Sequence, residues 1–507
     1  MNGIYITNTY HHIASHAQKK PDRPALICGD QKLSYHDFME RIVALAFHLD
    51  IISNASSPQK VLICCQDKIN NLSAVFACFA LQWVAIPYSP DSFDSLEWIA
   101  DDCKADLLLC DAEVADRIRQ SALHFSIPLY DLSSCSGEYD RNFTLPKKCR
   151  GNDMAMIIYS SGTTSGQKKG VIISYRILLE TTMYMNKVMG IGEGIVEYVV
   201  APIAHAFGFG RCRAVFYAGG VLVFDNGKFN PARILLSISK NKCNALSSVS
   251  TGIAAFIDYY ETHLRKVGPL LKWVEIGSLP LALNYREKLL EILPNAAVFI
   301  NFGLTEAMRS TFINLRKETR KIASVGKASP GVEVRILDDE GVPLSSCIEG
   351  EIAVKGVNLT PGYWNRKDAF TGKMKNGYFT TGDLGFMDEE GYLYFAGRKD
   401  DVINSGGKKF HPVEVENLLV KFFGHQNFCI CGINDPVGRL GQVPVVCVEE
   451  DSKVMLEDIV RHLRPMLEDY MIPKDLFKIA SMPMTDNGKV QRSKVVQRIN
   501  AISTLNG

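Results

Sequence analysis

Neither charge sign is in surplus in this chain: 56 lysines and arginines stand against 55 aspartates and glutamates over 507 residues. That balance removes the electrostatic case for nucleic acid or an anionic membrane as the main partner, so any charged ligand must be met locally. The 14 cysteines include no C-x-x-C pair, which excludes a zinc framework of the usual spacing. Unspaced thiols in so long a chain read as reduced, in the cytoplasm, with Cys64-Cys65 and Cys429-x-Cys431 acting as small buried hydrophobes. The first residues, Met1 to Asn8, lack the basic, apolar and cleavage-site series of a signal peptide. Repeats and low-complexity tracts are also missing. Only Ile69 to Pro90 is uncharged for about the length of a membrane span. Asn70, Asn71, Gln82 and Pro87 interrupt it, and it reads as a buried helix followed by a strand at Trp83-Val84-Ala85-Ile86.

What is present begins with one loop. Tyr159-Ser160-Ser161-Gly162-Thr163-Thr164-Ser165-Gly166-Gln167-Lys168-Lys169-Gly170 gathers five aliphatic hydroxyls, three glycines and two lysines. Glycines let backbone N–H groups close on an anion, hydroxyls add donors and lysines add charge. The preceding run, Met154 to Tyr159, reads as a buried strand, so the loop sits at a strand's carboxyl end, where α/β folds hold ligands. It is not a Walker A loop, because three residues rather than four separate Gly162 from Gly166, and Gln167 follows. Alone, the same composition also suits an ordinary surface turn.

From residue 24 to about 300, strand-like runs such as Val61-Leu62-Ile63-Cys64, Leu107 to Cys110, Val221 to Phe224 and Ala297 to Ile300 alternate with helical patterns, which predicts α/β layering. Ser34 with Asp37 caps one predicted helix and Asn230-Pro231 opens another. After about residue 325 short alternating strands with Gly and Asp turns predict a small antiparallel β subdomain. The cluster Arg398-Lys399-Asp400-Asp401 then precedes a last α+β unit of about a hundred residues. The expected organisation is an N-terminal domain over 1–399 and a small mobile C-terminal domain over 400–507.

Four further segments carry polar chemistry. Asn301-Phe302-Gly303-Leu304-Thr305-Glu306 follows a strand and should project a hydroxyl and a carboxylate into the loop's crevice, with Glu306 able to hold magnesium. Tyr378 to Asp383 ends in a carboxylate suited to ribose hydroxyls, and Gly397-Arg398 supplies a guanidinium. Thr485-Asp486-Asn487-Gly488-Lys489 sets a lysine on a glycine turn. Singly, each is more often a cap, a turn, a surface ion pair or a solvated lysine.

Together and in this order they resemble the adenylate-forming superfamily of acyl-CoA synthetases, aryl-acid ligases, peptide-synthetase adenylation domains and luciferases, over nearly the whole chain. The resemblance implies ATP and Mg²⁺ as cofactors and a two-step reaction: a carboxylate attacks the α-phosphate, pyrophosphate leaves, and a thiol then takes the acyl group. It assigns catalysis to Lys489, Thr305, Glu306 and His205. It gives nucleotide binding to Ser160, Ser161, Gly162, Thr163, Thr164, Gly166, Lys169, Asn301, Phe302, Gly303, Asp383 and Arg398, with Gly277-Ser278-Leu279 on the other side of the adenine. Asp400 matches the hinge, and rotation there would withdraw Lys489 and present Gly406-Gly407 to a pantetheine tunnel. The loop departs from the family by the extra Ser165 and by Lys168 where proline is usual.

The segment Ala201 to Gly210 resembles the family's acyl pocket, with His205 near the substrate carboxylate, a core histidine being the plain alternative. Ala206-Phe207-Gly208 supplies no Asp to pair an ammonium, which argues against an α-amino acid. Phe207, Ser250, Gly252, Gly303 and Met308 suggest a neutral fatty or aryl acid. Arg309 reads as a surface salt-bridge partner, its alternative being a pocket cation for a second substrate carboxylate. The acceptor is coenzyme A or the phosphopantetheine of a carrier protein. Other readings are a stand-alone amino-acid-activating enzyme, a luciferase-like oxidoreductase and a binding protein without catalysis.

Overall fold

The computed structural model describes residues 4–53, 59–135, 137–160, 168–277, 281–424, 428–435, 440–485 and 489–505. Two sheets form the frame. One has six strands in the order Lys169–Ser174, Met154–Ser160, Val84–Pro87, Lys60–Cys64, Leu107–Cys110 and Leu129–Asp131, parallel except for the first. The other has nine strands, and its parallel centre runs Ala297–Phe302, Trp273–Gly277, Ala245–Val249, Val196–Val199, Val221–Phe224 and Pro24–Cys28. The central strands are continuous apolar runs because both faces are covered.

Helices Thr9–Lys19, Tyr35–Ser53, Lys68–Leu81, Tyr175–Met189 and Ala206–Ala218 share one apolar cluster with inward residues of both sheets, such as Ile63, Leu109, Leu222 and Phe224. Helices Pro231–Lys240, Ser250–Val267 and Leu283–Ile292 cover the outer face of the nine-stranded sheet. The uncharged run is therefore core: Ile69 to Ala80 is almost wholly buried, and Asp67 caps its helix by accepting from Asn70 N at 2.8 Å. Ser34 and Asp37 form the expected reciprocal cap, at 3.0 and 3.1 Å, and Asn230 accepts from Arg233 N at 3.0 Å. Among the described residues no helix is long and apolar enough to cross a membrane.

A five-stranded antiparallel unit follows, built on Val332–Leu337, Gly350–Gly356 and Tyr378–Met387, with Leu393–Arg398 paired to the last. A short helical turn, Lys399–Asp401, leads out of it into the hairpin Ile403–Ser405 and Lys408–Phe410. Gly406 and Gly407 are the two-residue loop of that hairpin, with φ of +62° and +82°. A tight hairpin turn with both central residues left-handed is where glycine replaces any L side chain without strain. The remaining chain packs helix Pro412–Phe423 and a three-stranded sheet, Cys429–Asn434, Gln442–Glu449 and Leu476–Ile479.

Cys64, Cys65, Cys429 and Cys431 are all buried, as expected, although Cys347 is exposed. Cys429 and Cys431 lie on one face of a strand with their sulfurs 3.6 Å apart, and Arg492 Nη1 lies 3.1 Å from Cys429 Sγ. The Cys431 thiol and the Arg492 guanidinium hold the Cys429 thiol below its ordinary value, against burial.

Candidate active site

Strands Trp273–Gly277 and Ala297–Phe302 run side by side in parallel, so Gly277 and Asn301-Phe302-Gly303 reach the same carboxyl edge of the nine-stranded sheet. A cleft of about 1050 Å³ opens there. Asn301, Phe302 and Gly303 line it from this sheet, Asp383, Phe395 and Arg398 from the five-stranded unit, and Lys489 from the C-terminal lobe. Asp400 and Asp401 of the connecting turn also border it.

The antiparallel register sets Asp383 opposite Arg398, and Arg398 Nη1 donates to Asp383 Oδ1 at 2.8 Å. Burial lifts the Asp383 carboxyl above its ordinary value, although the Arg398 and Lys489 cations pull the other way. Lys489 is delivered by a small turn in which Thr485 N donates to Lys489 O at 2.7 Å and Lys489 N donates to Thr485 Oγ1 at 3.1 Å. Burial lowers the Lys489 ammonium, with Arg398 acting in the same direction and Asp383 and Glu306 opposing it. The Phe302 and Phe395 rings lie 6.3 Å apart, leaving one wall of the cleft aromatic.

Past Gly303 the chain turns through Thr305 and Glu306. Tyr363 Oη donates to Glu306 Oε1 at 2.7 Å, and Thr360 N donates to the Glu306 backbone carbonyl at 2.8 Å, so the residue is held at both its side chain and its main chain. Burial and then Glu306 push the Tyr363 phenol well up, which keeps it a donor. Lys169 Nζ lies 5.4 Å from the Tyr363 ring centre, and Lys373 is close enough for Glu306 and Lys169 to act on its ammonium, which burial lowers. Ser160 pairs with Lys169 across the two strands, its Oγ 3.5 Å from Lys169 O. Ser161, Gly162, Thr163, Thr164, Ser165, Gly166, Ser278 and Leu279 lie outside the described residues. Tyr363 and Lys373 escaped the sequence reading, since neither stands in a motif.

Among the described residues no three His, Cys, Asp or Glu side chains gather as a metal cage. A single carboxylate, Glu306, beside the Thr305 hydroxyl is nonetheless the donor set that suits Mg²⁺, which takes one or two carboxylates and completes its shell with substrate phosphates and water.

On the other flank of Gly277, His205 is half-buried at the start of helix Ala206–Ala218. Gly277 has no room for a side chain, since a Cβ would lie 2.5 Å from Cε2 of Phe207. The Met308 carbonyl accepts from Tyr184 Oη at 2.8 Å and Asn358 Nδ2 at 3.0 Å. A Cβ on Gly303 would strike Arg309 N. Ser250 is buried at the first turn of helix Ser250–Val267, and Gly252 faces Ser248; their neighbour Thr251 is the one that lines the large cleft.

Arg309 corrects the sequence reading. It is not on the surface but 3% exposed, in left-handed backbone at φ +47°, with Nε 3.4 Å from Glu275 Oε1. Glu275 also takes Arg211 Nη1 at 2.8 Å and Asn301 Nδ2 at 2.8 Å, so a buried ion network reaches the cleft wall through Asn301. Gly406 and Gly407, by contrast, are exposed and do not line the cleft that Lys489 enters.

The family model described as "AMP-binding enzyme" matches residues 13–364, and that of the "AMP-binding enzyme C-terminal domain" matches 414–489. Among curated proteins, the 2-succinylbenzoate–CoA ligase of Bacillus velezensis is 27% identical over 494 residues, covering 97% of this chain and 98% of that one. Among solved structures, O-succinylbenzoate coenzyme A synthetase from Bacillus subtilis, in complex with ATP and magnesium ion, aligns at a TM-score of 0.84 and 25% identity over 96% of this chain and 98% of that one. ATP-bound MatB from Rhodopseudomonas palustris aligns at 0.87 with 22% identity, over 98% of this chain and the whole of that one.

Proposed function

The chain belongs to the AMP-binding enzyme family, and from that premise we propose that it is an ATP-dependent acid:coenzyme A ligase. It activates a carboxylic acid, of the aryl class, as an acyl-adenylate and then passes the acyl group to a thiol. The observation that carries this reading is the convergence of Asp383 and Arg398, from the five-stranded unit, and Lys489, from the C-terminal segment, on the cleft beside Phe302. Coenzyme A rather than a carrier protein is the acceptor; the 2-succinylbenzoate–CoA ligase relative supports both the aryl acid and this choice.

Each residue has a defined task. Phe302 and Phe395 form the aromatic wall on one side of the adenine, and the Asp383 carboxylate accepts from ribose hydroxyls while Arg398 holds its orientation. Lys489 sets its ammonium between the acid's carboxylate and the α-phosphate, where negative charge grows as the new bond forms. Glu306, fixed by Tyr363, and Thr305 are the residues that would hold Mg²⁺, which would supply positive charge for the leaving pyrophosphate. Lys169 and Lys373 add positive charge on the same side. His205 and Phe207 flank the acid. The domains meet at Asp400, within the turn Lys399–Asp401, and rotation there withdraws Lys489 and brings the exposed Gly406-Gly407 hairpin to the cleft.

The test is exchange of labelled pyrophosphate into ATP across a panel of aryl, fatty and amino acids, followed by AMP release with coenzyme A or a holo carrier protein as separate acceptors. Exchange with an aryl acid and turnover with coenzyme A are expected. Exchange with none of the acids would sink the reading.

A further inference from the structure

Behind the acyl segment five charged side chains are buried together, and their charges do not cancel. Arg211, Arg213 and Arg309 face Glu197 and Glu275, and none of the five is more than 3% exposed. Arg211 is fully engaged, taking both Glu197 oxygens at 2.8 Å and Glu275 Oε2 at 2.8 Å. Arg309 has only the edge of the same Glu275, at 3.4 Å, and that oxygen already accepts from Asn301 at 2.8 Å. Its Nη2 donates to a neutral group, the Phe207 carbonyl, at 3.0 Å. Arg213 has no carboxylate within ion-pair distance among the described residues. It donates to Leu178 O and to Thr182 Oγ1 at 2.5 Å, and its buried Nε has no partner. Three cations against two anions leave one net positive charge in the interior, and an uncompensated buried charge costs several kcal/mol.

The excess lies behind Phe207 and His205, the segment assigned to the acid under the proposed function. Arg309 follows Glu306 by three residues in the loop that borders the cleft, and its guanidinium is 5.1 Å from the centre of the Phe207 ring. The group is clamped there: Tyr184 Oη donates to the Met308 and Arg309 carbonyls at 2.8 and 3.2 Å, and only the absence of a Cβ at Gly210 lets the guanidinium approach helix Ala206–Ala218. Arg213, on that same helix, lies near enough to act electrostatically on Arg309.

We propose that the acid activated here is a dicarboxylic acid, whose second carboxylate, the one not adenylated, is received by Arg309, with Arg213 adding positive charge behind it. This rests on the acid-activating reading above. A guanidinium offers a planar pair of donors that matches a carboxylate, and the incoming anion supplies the charge the cluster lacks. The neutral acyl group expected from Phe207 and Met308 is thereby replaced by an acid with an apolar middle and a charged far end.

The experiment compares diacids with their own half-esters in pyrophosphate exchange: 2-succinylbenzoate, phthalate, succinate and adipate, each beside its monomethyl ester. The wild-type enzyme is expected to favour at least one diacid over its half-ester by about 10- to 150-fold in kcat/KM, the range for a hydrogen bond to a charged group. Arg309→Gln should remove that preference mainly through KM, while Arg309→Lys keeps part of it. Thermal unfolding of each variant separates lost recognition from lost fold, and the wild-type comparison needs no variant. Equal use of diacid and half-ester would overturn the inference and leave acid activation standing. Exchange with no acid would overturn both.

Discussion

Lys489→Ala tests the division of labour between the two lobes. The side chain brings one positive charge into a cleft that already holds Asp383, Arg398 and Glu306. A unit charge about 4 Å from a developing negative oxygen contributes roughly 4 kcal/mol at an effective dielectric constant near 20. Loss of one preorganised donor in such a site costs about 10²- to 10³-fold in rate. Pyrophosphate exchange should therefore fall about that far. The fold should survive, because the turn is held by backbone and Thr485 contacts, Thr485 N to Lys489 O at 2.7 Å and Lys489 N to Thr485 Oγ1 at 3.1 Å, which the substitution keeps. Supplying chemically made acyl-adenylate and coenzyme A then measures the second step alone, and that rate should remain close to wild type. Exchange left within threefold of wild type, or equal loss of both steps in a folded variant, would refute the assignment.

Three further outcomes follow from the same geometry. Glu275→Gln removes one of two carboxylates facing three buried arginines and leaves Arg211 Nη1 without its 2.8 Å partner, so chemical unfolding should reveal a loss of about 3–5 kcal/mol. Gly277→Ala places a Cβ 2.5 Å from Phe207 Cε2 and must displace the ring; a stability cost of about 1–3 kcal/mol and a raised KM for the acid are expected, and unchanged kinetics would contradict the packing. His411, which opens helix Pro412–Phe423, pairs with Glu349 at 3.0 Å, and Glu349 raises its imidazole above 6.5. A raised folded value means that the pair's stabilisation is full below pH 6.5 and fades as pH rises through the folded value. With Glu349 47% exposed the effect is small, about 0.5 kcal/mol, and should vanish from the pH dependence of the melting temperature in His411→Gln.

What the sequence made legible is what local chemistry determines. Continuous apolar runs marked the central strands because both faces of each sheet are covered, and Ser34 and Asn230 behave as caps because a cap needs only its own first turn. The convergence of Asn301, Asp383, Arg398 and Lys489 was legible only as an ordered set of motifs, since each one alone is an ordinary turn or ion pair. Tyr363 remained hidden, because nothing in its neighbours reveals that its hydroxyl meets a carboxylate 57 residues away. Arg309 was misplaced for the same reason. A charged residue after a turn is normally solvated, and only Glu275, 34 residues distant in another strand, together with the bare backbone of Gly210, makes its burial possible.

The buried arginines and the cleft share one structural cause. Asn301 is both a cleft residue and a donor to Glu275, and Glu275 is the carboxylate that Arg211 and Arg309 divide between them. Parallel strands Trp273–Gly277 and Ala297–Phe302 impose this sharing, since their register sets Glu275 beside Phe299 and delivers Asn301 two residues further along, on the same face. An anion arriving at Arg309 would relieve Glu275 of half its load and strengthen its hold on Asn301, which stands next to the adenine-side Phe302. Binding of the acid and ordering of the nucleotide wall are then two readouts of one charge balance. Arg309→Gln should accordingly weaken the dependence of ATP affinity on bound acid as well as the affinity for the acid itself, measurable as the change in KM for ATP between low and saturating acid. A variant that loses acid affinity while leaving that coupling intact would show that Asn301 takes no part in it.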